Sequence, residues 1–212
     1  MNTVFCKTPA EILVICCWKL CLCSTPTCFK ATFILTLGRS KEYRTRSNTE
    51  VLHEGKVATD RPEYVWDTYK PTPVMSTYLL AWTVNKYESM KSTSARGVKF
   101  EAFYEEAYMY PCSLFPSSCD SPAENVSIMQ HPADVGAKML DHFEQKVFGI
   151  NYNLPKMDII AVEKFGFGAM ENWGMMTFRK NLFQKPGNLF ALFDLDKIMA
   201  HELVTVHLIM SS

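Results

Sequence analysis

Phe33, Leu35 and Leu37 alternate with Thr32, Ile34 and Thr36. This period of two predicts a strand with one strongly apolar face, and Gly38-Arg39-Ser40 is expected to end it. Lys41–Asn48 predicts a second, more polar strand, Glu54-Gly55 a turn, and Tyr64–Tyr69 another short strand. Thr77–Tyr87 is aromatic and β-branched on both faces, which fits a buried strand. Val98–Tyr104 follows a turn at Arg96-Gly97 and reads as a strand, so residues 30–104 form an expected antiparallel β unit. Pro111, Pro116, Ser117, Ser118, Ser121 and Pro122 mark a loop and a domain boundary. The period then changes: Val135, Met139, Leu140, Phe143 and Val147 fall at helical spacing within Ala133–Phe148, and Gly149 is placed to stop the helix. Met157–Val162 and Trp173–Phe178 predict strands, and Lys185-Pro186-Gly187-Asn188 a turn. Asp194–Leu208 predicts a helix, with Asp194 and Asp196 suited to its positive N-terminal end. The fold class is α+β, divided as 1–29 (unassigned, Cys-rich), 30–110 (β-rich), 111–127 (linker or loop) and 128–212.

Composition narrows the function classes. Hydrophobic residues make up 48% of the 212 positions and charged residues 21%, which fits a globular protein. Lys+Arg and Asp+Glu both number 22, so the zero net charge argues against nucleic acid as a partner. Six of the eight cysteines fall within the first 28 residues, and Cys21-Leu22-Cys23 lacks the spacing and the nearby His of a zinc module. Cys112 and Cys119 could form a loop disulfide in a secreted chain or stay as two thiols. Ile12–Cys23 is apolar but too short for a membrane span and carries Lys19 inside, which leaves a poor signal-peptide core as its other reading. Asn125-Val126-Ser127 is a formal glycosylation acceptor. None of these fixes the compartment.

Two stretches carry candidate chemistry. The first is Gly168-Ala169-Met170-Glu171-Asn172, followed by Trp173-Gly174, which sets one carboxylate among small and apolar neighbours. On spacing alone it is a glycine-containing turn entering a strand. The second is His201-Glu202. A zinc-peptidase helix of the H-E-x-x-H type needs imidazoles at i and i+4, one turn apart on one face, with the Glu as general base. Here the i+4 position is Thr205, a poor zinc ligand. His207 stands at i+6, about 120° off that face, and one helix cannot bring both imidazoles to one ion unless it breaks between them.

The first stretch resembles the exopeptidase signature of the aminopeptidase N family of zinc aminopeptidases. Tyr152-Asn153-Leu154-Pro155-Lys156-Met157-Asp158 resembles the family's Y-P-L-P-K-x-D entry, and Met176-Thr177-Phe178-Arg179 its I-T-Y-R. Ile198-Met199-Ala200-His201-Glu202-Leu203 resembles V-I-A-H-E-L. Lys30-Ala31-Thr32-Phe33 and Met75-Ser76-Thr77-Tyr78-Leu79-Leu80-Ala81 resemble stretches of the family's N-terminal β domain. The resemblance implies a partial β-rich N-terminal domain over 30–110 and the first half of a thermolysin-like catalytic domain over 128–212. It implies that Glu171 binds the free α-ammonium of a peptide, and that Gly168, Ala169, Met170 and Asn172 complete the substrate-binding strand. It implies His201 as a Zn2+ ligand and Glu202 as the general base. The implied partners are peptides with a free N-terminus.

The departures carry expectations of their own. Thr205 replaces the second His, and the family's third ligand falls outside this sequence. The match begins near Phe29 and stops near Val204, so both flanks are expected to be foreign to the family, as from an alternative transcript or an erroneous gene model. The chain is therefore expected to be a truncated form with an incomplete zinc site, with an inactive peptide-binding or regulatory fragment that pairs with a full-length homologue as the alternative. Without a covering helical half, Ile198, Leu203 and Val206 are expected to be partly exposed and the chain marginally stable.

Overall fold

Strand β11 (Lys156–Val162) lies at the centre because every one of its residues is buried. Its alternation sorts the two sides of a sheet. Met157, Ile159 and Ala161 join the larger apolar core, which includes Ala133, Ala137, Leu140, Met199 and Leu203 of two helices. Ile160 and Val162 join a smaller cluster with Ala81, Phe103 and Met175. The computed structural model describes residues 3–5, 30–57, 62–105, 127–163, 165–183 and 188–211.

The other strands are β1 (Thr3–Phe5), β2 (Lys30–Ala31), β3 (Thr36–Ser40), β4 (Arg44–Ser47), β5 (Val51–Val57), β6 (Tyr64–Tyr69) and β7 (Met75–Ser76). They continue as β8 (Trp82–Asn85), β9 (Tyr87–Thr93), β10 (Lys99–Glu105), β12 (Ala169–Met170) and β13 (Met175–Arg179). The first sheet has the order β1-β3-β6-β5, and β2-β7 and β4-β8 form two-stranded ladders. The second sheet has the order β12-β13-β11-β10-β9, with β11 parallel to both β10 and β13. Helices α1 (Gln130–His142) and α2 (Leu189–Ser211) pack on each other; α1 lies against β9 and β10, and α2 against β12. This is the expected α+β class.

Several expected boundaries move, each for a physical reason. Gly38-Arg39-Ser40 lies inside β3 rather than ending it, because Arg39 is neutralised by buried Asp67 of β6. A Cβ on Gly38 would meet the Trp66 ring at 3.0 Å, so the glycine admits the indole. Glu54-Gly55 is an irregularity within β5, with φ +73 at Gly55, rather than a turn between strands. Thr77–Leu79 forms a 3-10 turn, and extended structure resumes at Trp82. Because β9 and β10 pair with β11, the second sheet crosses the division expected between 30–110 and 128–212. The expected linker, apart from Ser127, lies outside the described residues, as do all the cysteines and Asn125.

The helices also differ from expectation. In α1 the buried face is Pro132, Ala133, Gly136, Ala137 and Leu140, while Val147 beyond it is exposed. A Cβ on Gly136 would sit 3.0 Å from the Phe100 ring and 3.3 Å from Met199 Sδ, so small residues make the contact that large ones were expected to make. The helical path continues as a π-helix over Phe143–Phe148 and stops at Gly149, which has φ +65. Helix α2 begins at Leu189, where the Asn188 side chain accepts from the Ala191 N–H at 3.2 Å, so Asp194 and Asp196 are not in its first turn. Leu203 and Val206 are buried and Ile198 half-buried; the exposed apolar residues of α2 are Leu189, Phe190, Phe193 and Leu208. No helix among the described residues is long and apolar enough to cross a membrane.

One ion pair, between buried Glu144 and partly exposed Arg96, fastens the π-helical segment after α1 to the loops below it. The Glu144 carboxylate accepts from Arg96 at 2.9 and 2.7 Å and from the Tyr152 N–H at 2.7 Å. Burial opposes its charge, yet the Arg96 hydrogen bond and the Tyr152 N–H outweigh burial and hold the acid below its ordinary value of 4.5. The ionised form is thus bound more tightly in the fold, so its contribution is present above that value and is lost as pH falls through the folded value. Glu144→Gln is expected to lose about 2 kcal/mol near neutrality. The gap to wild type should close as pH falls below the ordinary value and through the lowered folded one, as read by chemical denaturation.

Candidate amino-terminus recognition site

The site is assembled at the open edge of the second sheet. β12 pairs with β13 through Ala169↔Phe178 and Met170↔Thr177, and its other side carries no strand among the described residues. The Gly168 carbonyl accepts from the Arg179 N–H at 2.9 Å, and the Arg179 guanidinium donates to the Phe167 carbonyl at 3.1 Å, which anchors the start of this edge. Gly168 is exposed and Ala169, Met170 and Glu171 are half-buried. An edge with small residues admits another extended chain closely.

Asn172 faces the other way. It is wholly buried, its Oδ1 accepts from the Thr177 hydroxyl at 3.1 Å, and its Nδ2 donates to the Leu79 carbonyl at 3.3 Å. The Asn172 carbonyl accepts from the Met175 N–H at 2.9 Å and closes a turn in which Gly174 has φ +83. Asn172 therefore shapes the turn behind Glu171, while Gly168 to Glu171 line the open side.

Helix α2 brings Glu202 to Glu171. Glu202 is buried at 6% exposure, whereas His201 beside it is exposed. Burial first, and then the charge of Glu171, push the Glu202 carboxyl up to about 7. Burial and the same Glu171 charge raise the half-buried Tyr78 phenol. Two carboxylates and a phenol from three elements thus share one electrostatic environment, in which the charge of Glu171 disfavours ionisation of the other two groups. Tyr78 had no assigned role in the sequence, although it falls within the matched stretch Met75–Ala81.

Further along α2, Thr205 and His207 are engaged within the helix. The Thr205 hydroxyl donates to the His201 carbonyl at 3.0 Å. His207 is fully buried, with Nδ1 at 2.9 Å from the Leu203 carbonyl and its ring stacked on Phe148 at 5.0 Å. The two imidazoles diverge, as about 120° of helical rotation requires. Among the described residues no group of three or more His, Cys, Asp or Glu side chains could hold a metal ion. A catalytic zinc takes three protein ligands; of the two imidazoles of α2, His201 is exposed and His207 is buried.

An open sheet edge followed by the Glu171 carboxylate thus lies beside the helix that bears His201-Glu202. Residues 131–207 match the Peptidase family M1 domain. The glutamyl aminopeptidase of Bos taurus is 33% identical over 180 residues, covering 82% of this chain and 16% of that protein. Endoplasmic reticulum aminopeptidase 2 of Bos taurus is 32% identical over 186 residues, covering 85% of this chain and 17% of the relative. Aminopeptidase N of Haemonchus contortus is 30% identical over 179 residues, covering 82% and 16%. The chain belongs to peptidase family M1, the aminopeptidase N family of metallo-aminopeptidases. It spans 16–17% of the length of these curated relatives.

The raised Glu202 acid has a measurable consequence. Its folded value lies above the ordinary 4.5, so its contribution is full below about pH 4.5 and is lost as pH rises to about 7. In chelator, wild type and Glu202→Gln are expected to be alike near pH 4.5. By about pH 7.5 the Gln variant should be the more stable by about 2 kcal/mol, read by denaturant titration at both pH values.

Proposed function

We propose that this chain binds the free amino terminus of a peptide. The peptide lies as an added strand on β12, and its α-ammonium meets the Glu171 carboxylate. The observation that carries the reading is the placement of Glu171: it ends an open edge strand and shares its electrostatic environment with buried Glu202. A charge-assisted bond between ammonium and carboxylate in a partly desolvated site is strong, and an internal peptide segment has no such charge. Selection for exopeptidase-type ligands follows directly. Glu171→Gln should lower affinity for a short free-amine peptide at least about tenfold and leave its N-acetylated twin unaffected. Isothermal titration calorimetry of both peptides decides this; equal binding of the two by wild type would sink the reading.

Hydrolysis is a separate matter. Family membership makes zinc-dependent removal of N-terminal residues the expected activity of a complete site, with Glu202 as its base. Thr205 interrupts the donor set here, and we assign this chain peptide capture without turnover. Purified wild type is expected to carry well under one zinc per chain and to leave aminoacyl fluorogenic substrates intact. Thr205→His places a second imidazole one turn from His201 and should raise zinc retention in elemental analysis. Unchanged retention would show that His201 is not placed to ligate. Association with a full-length homologue is the second reading. It is favoured by the exposed Leu189, Phe190 and Phe193 at the start of α2, and co-purification tests it.

A further inference from the structure

Asn48 follows β4 and lies far in sequence from the recognition strand, yet it is wholly buried against it. Its Nδ2 donates to the Leu79 and Trp173 carbonyls, both at 2.8 Å, and its Oδ1 accepts from the Ala81 N–H at 2.9 Å. Both amide hydrogens and the amide oxygen are thereby engaged, which leaves the side chain a single orientation. Its own carbonyl closes on Gly174 so tightly that a Cβ there would lie 2.0 Å from the oxygen. Neighbouring Ser47 repeats the contact: its carbonyl accepts from Lys156 Nζ at 2.7 Å, and the same ammonium donates to the Gly174 carbonyl at 2.8 Å. Residues 173–174 are thus gripped from the N-terminal β unit, and Glu171 sits two residues before that grip.

We propose that Asn48 is a positioning residue for Glu171. It fixes the turn that delivers the carboxylate to the open edge of β12, and so sets the geometry in which a peptide ammonium is bound. This rests on the reading of Glu171 given above. Neither Glu171 nor its strand reaches Asn48 through a side chain; the coupling runs through the Trp173 carbonyl and the Gly174 backbone. Removing the amide leaves the Trp173 carbonyl and the Ala81 N–H without this partner in a dry interior, and the turn can then drift. Recognition sites tolerate only small displacements of their charged group, so a modest drift suffices to weaken ammonium binding.

The test uses the 212-residue chain with two readouts. The first is the affinity ratio between a free-amine peptide and its N-acetylated twin; the second is hydrogen exchange over residues 171–175. Asn48→Ala is expected to cut the ratio about tenfold and to speed exchange at 171–175, with β6 (Tyr64–Tyr69) unchanged. Asn48→Asp keeps the acceptor and removes both donors, and should do the same; it carries the test if the alanine variant does not fold. Leu140→Ala, a cavity in the helical core, should lower stability and leave the ratio intact, which separates positioning from general loosening. Native exchange and a native ratio in the Asn48 variants would overturn the proposal. Exchange needs no ligand, so a wild type that fails to distinguish the peptides indicts the Glu171 reading while the exchange result still decides the role of Asn48.

Discussion

The Lys156 ammonium is the interaction on which the rest of the structure depends. It is buried, and its three donors go to three segments: the Ser47 carbonyl at 2.7 Å, Asp158 Oδ2 at 2.7 Å and the Gly174 carbonyl at 2.8 Å. A charge taken from water costs several kcal/mol unless every hydrogen finds an acceptor. Burial pulls Lys156 down and Asp158 up, and the attraction between them opposes both shifts. The charged arrangement persists only while all three segments are in place. Lys156 therefore behaves as a register device, tying β4, β11 and the turn at Gly174 together.

The site inherits its shape from that tie. β11 aims Lys156 and Asp158 at the β unit and its odd-numbered residues at the helices, so one strand fixes both neighbours. The turn held by Lys156 then starts β13, whose pairing with β12 sets the open edge. Glu171 emerges between that edge and the turn. Its carboxylate is placed by backbone contacts, with no salt bridge among the described residues, and its charge acts on Glu202 and Tyr78.

Two of the expected strands were legible in the sequence, whereas the alternating run that starts at Thr32 becomes a strand only at Thr36. Tyr64–Tyr69 coincides with β6, and Met157–Val162 falls within β11. What escaped was tertiary. Arg39 sits inside a strand because Asp67 faces it, and no local pattern records that partner. The contact face of α1 uses Ala133, Gly136 and Ala137, which a search for large apolar residues passes over. The pairing of β9 and β10 with β11 is a contact between distant segments, so a boundary drawn from Pro and Ser content could not anticipate it. At the site, the motif residues were legible by resemblance. Asn172 is the exception in role: the motif groups it with the binding strand, and the structure buries it behind that strand.

Glu171 and the His-bearing face of α2 rest on different supports. Glu171 depends on the sheet edge and the Lys156 tie, neither of which involves the His-bearing face of α2. That helix is held by Leu195, Met199, Leu203 and Val206, all buried. Thr205 is only half-buried, and its hydroxyl is satisfied within the helix. A β-branched residue there costs a few tenths of a kcal/mol in helix propensity and disturbs none of the packing residues. The imidazole that zinc would need can therefore be absent with almost no structural penalty, while Glu171 and its open edge stay where the sheet puts them.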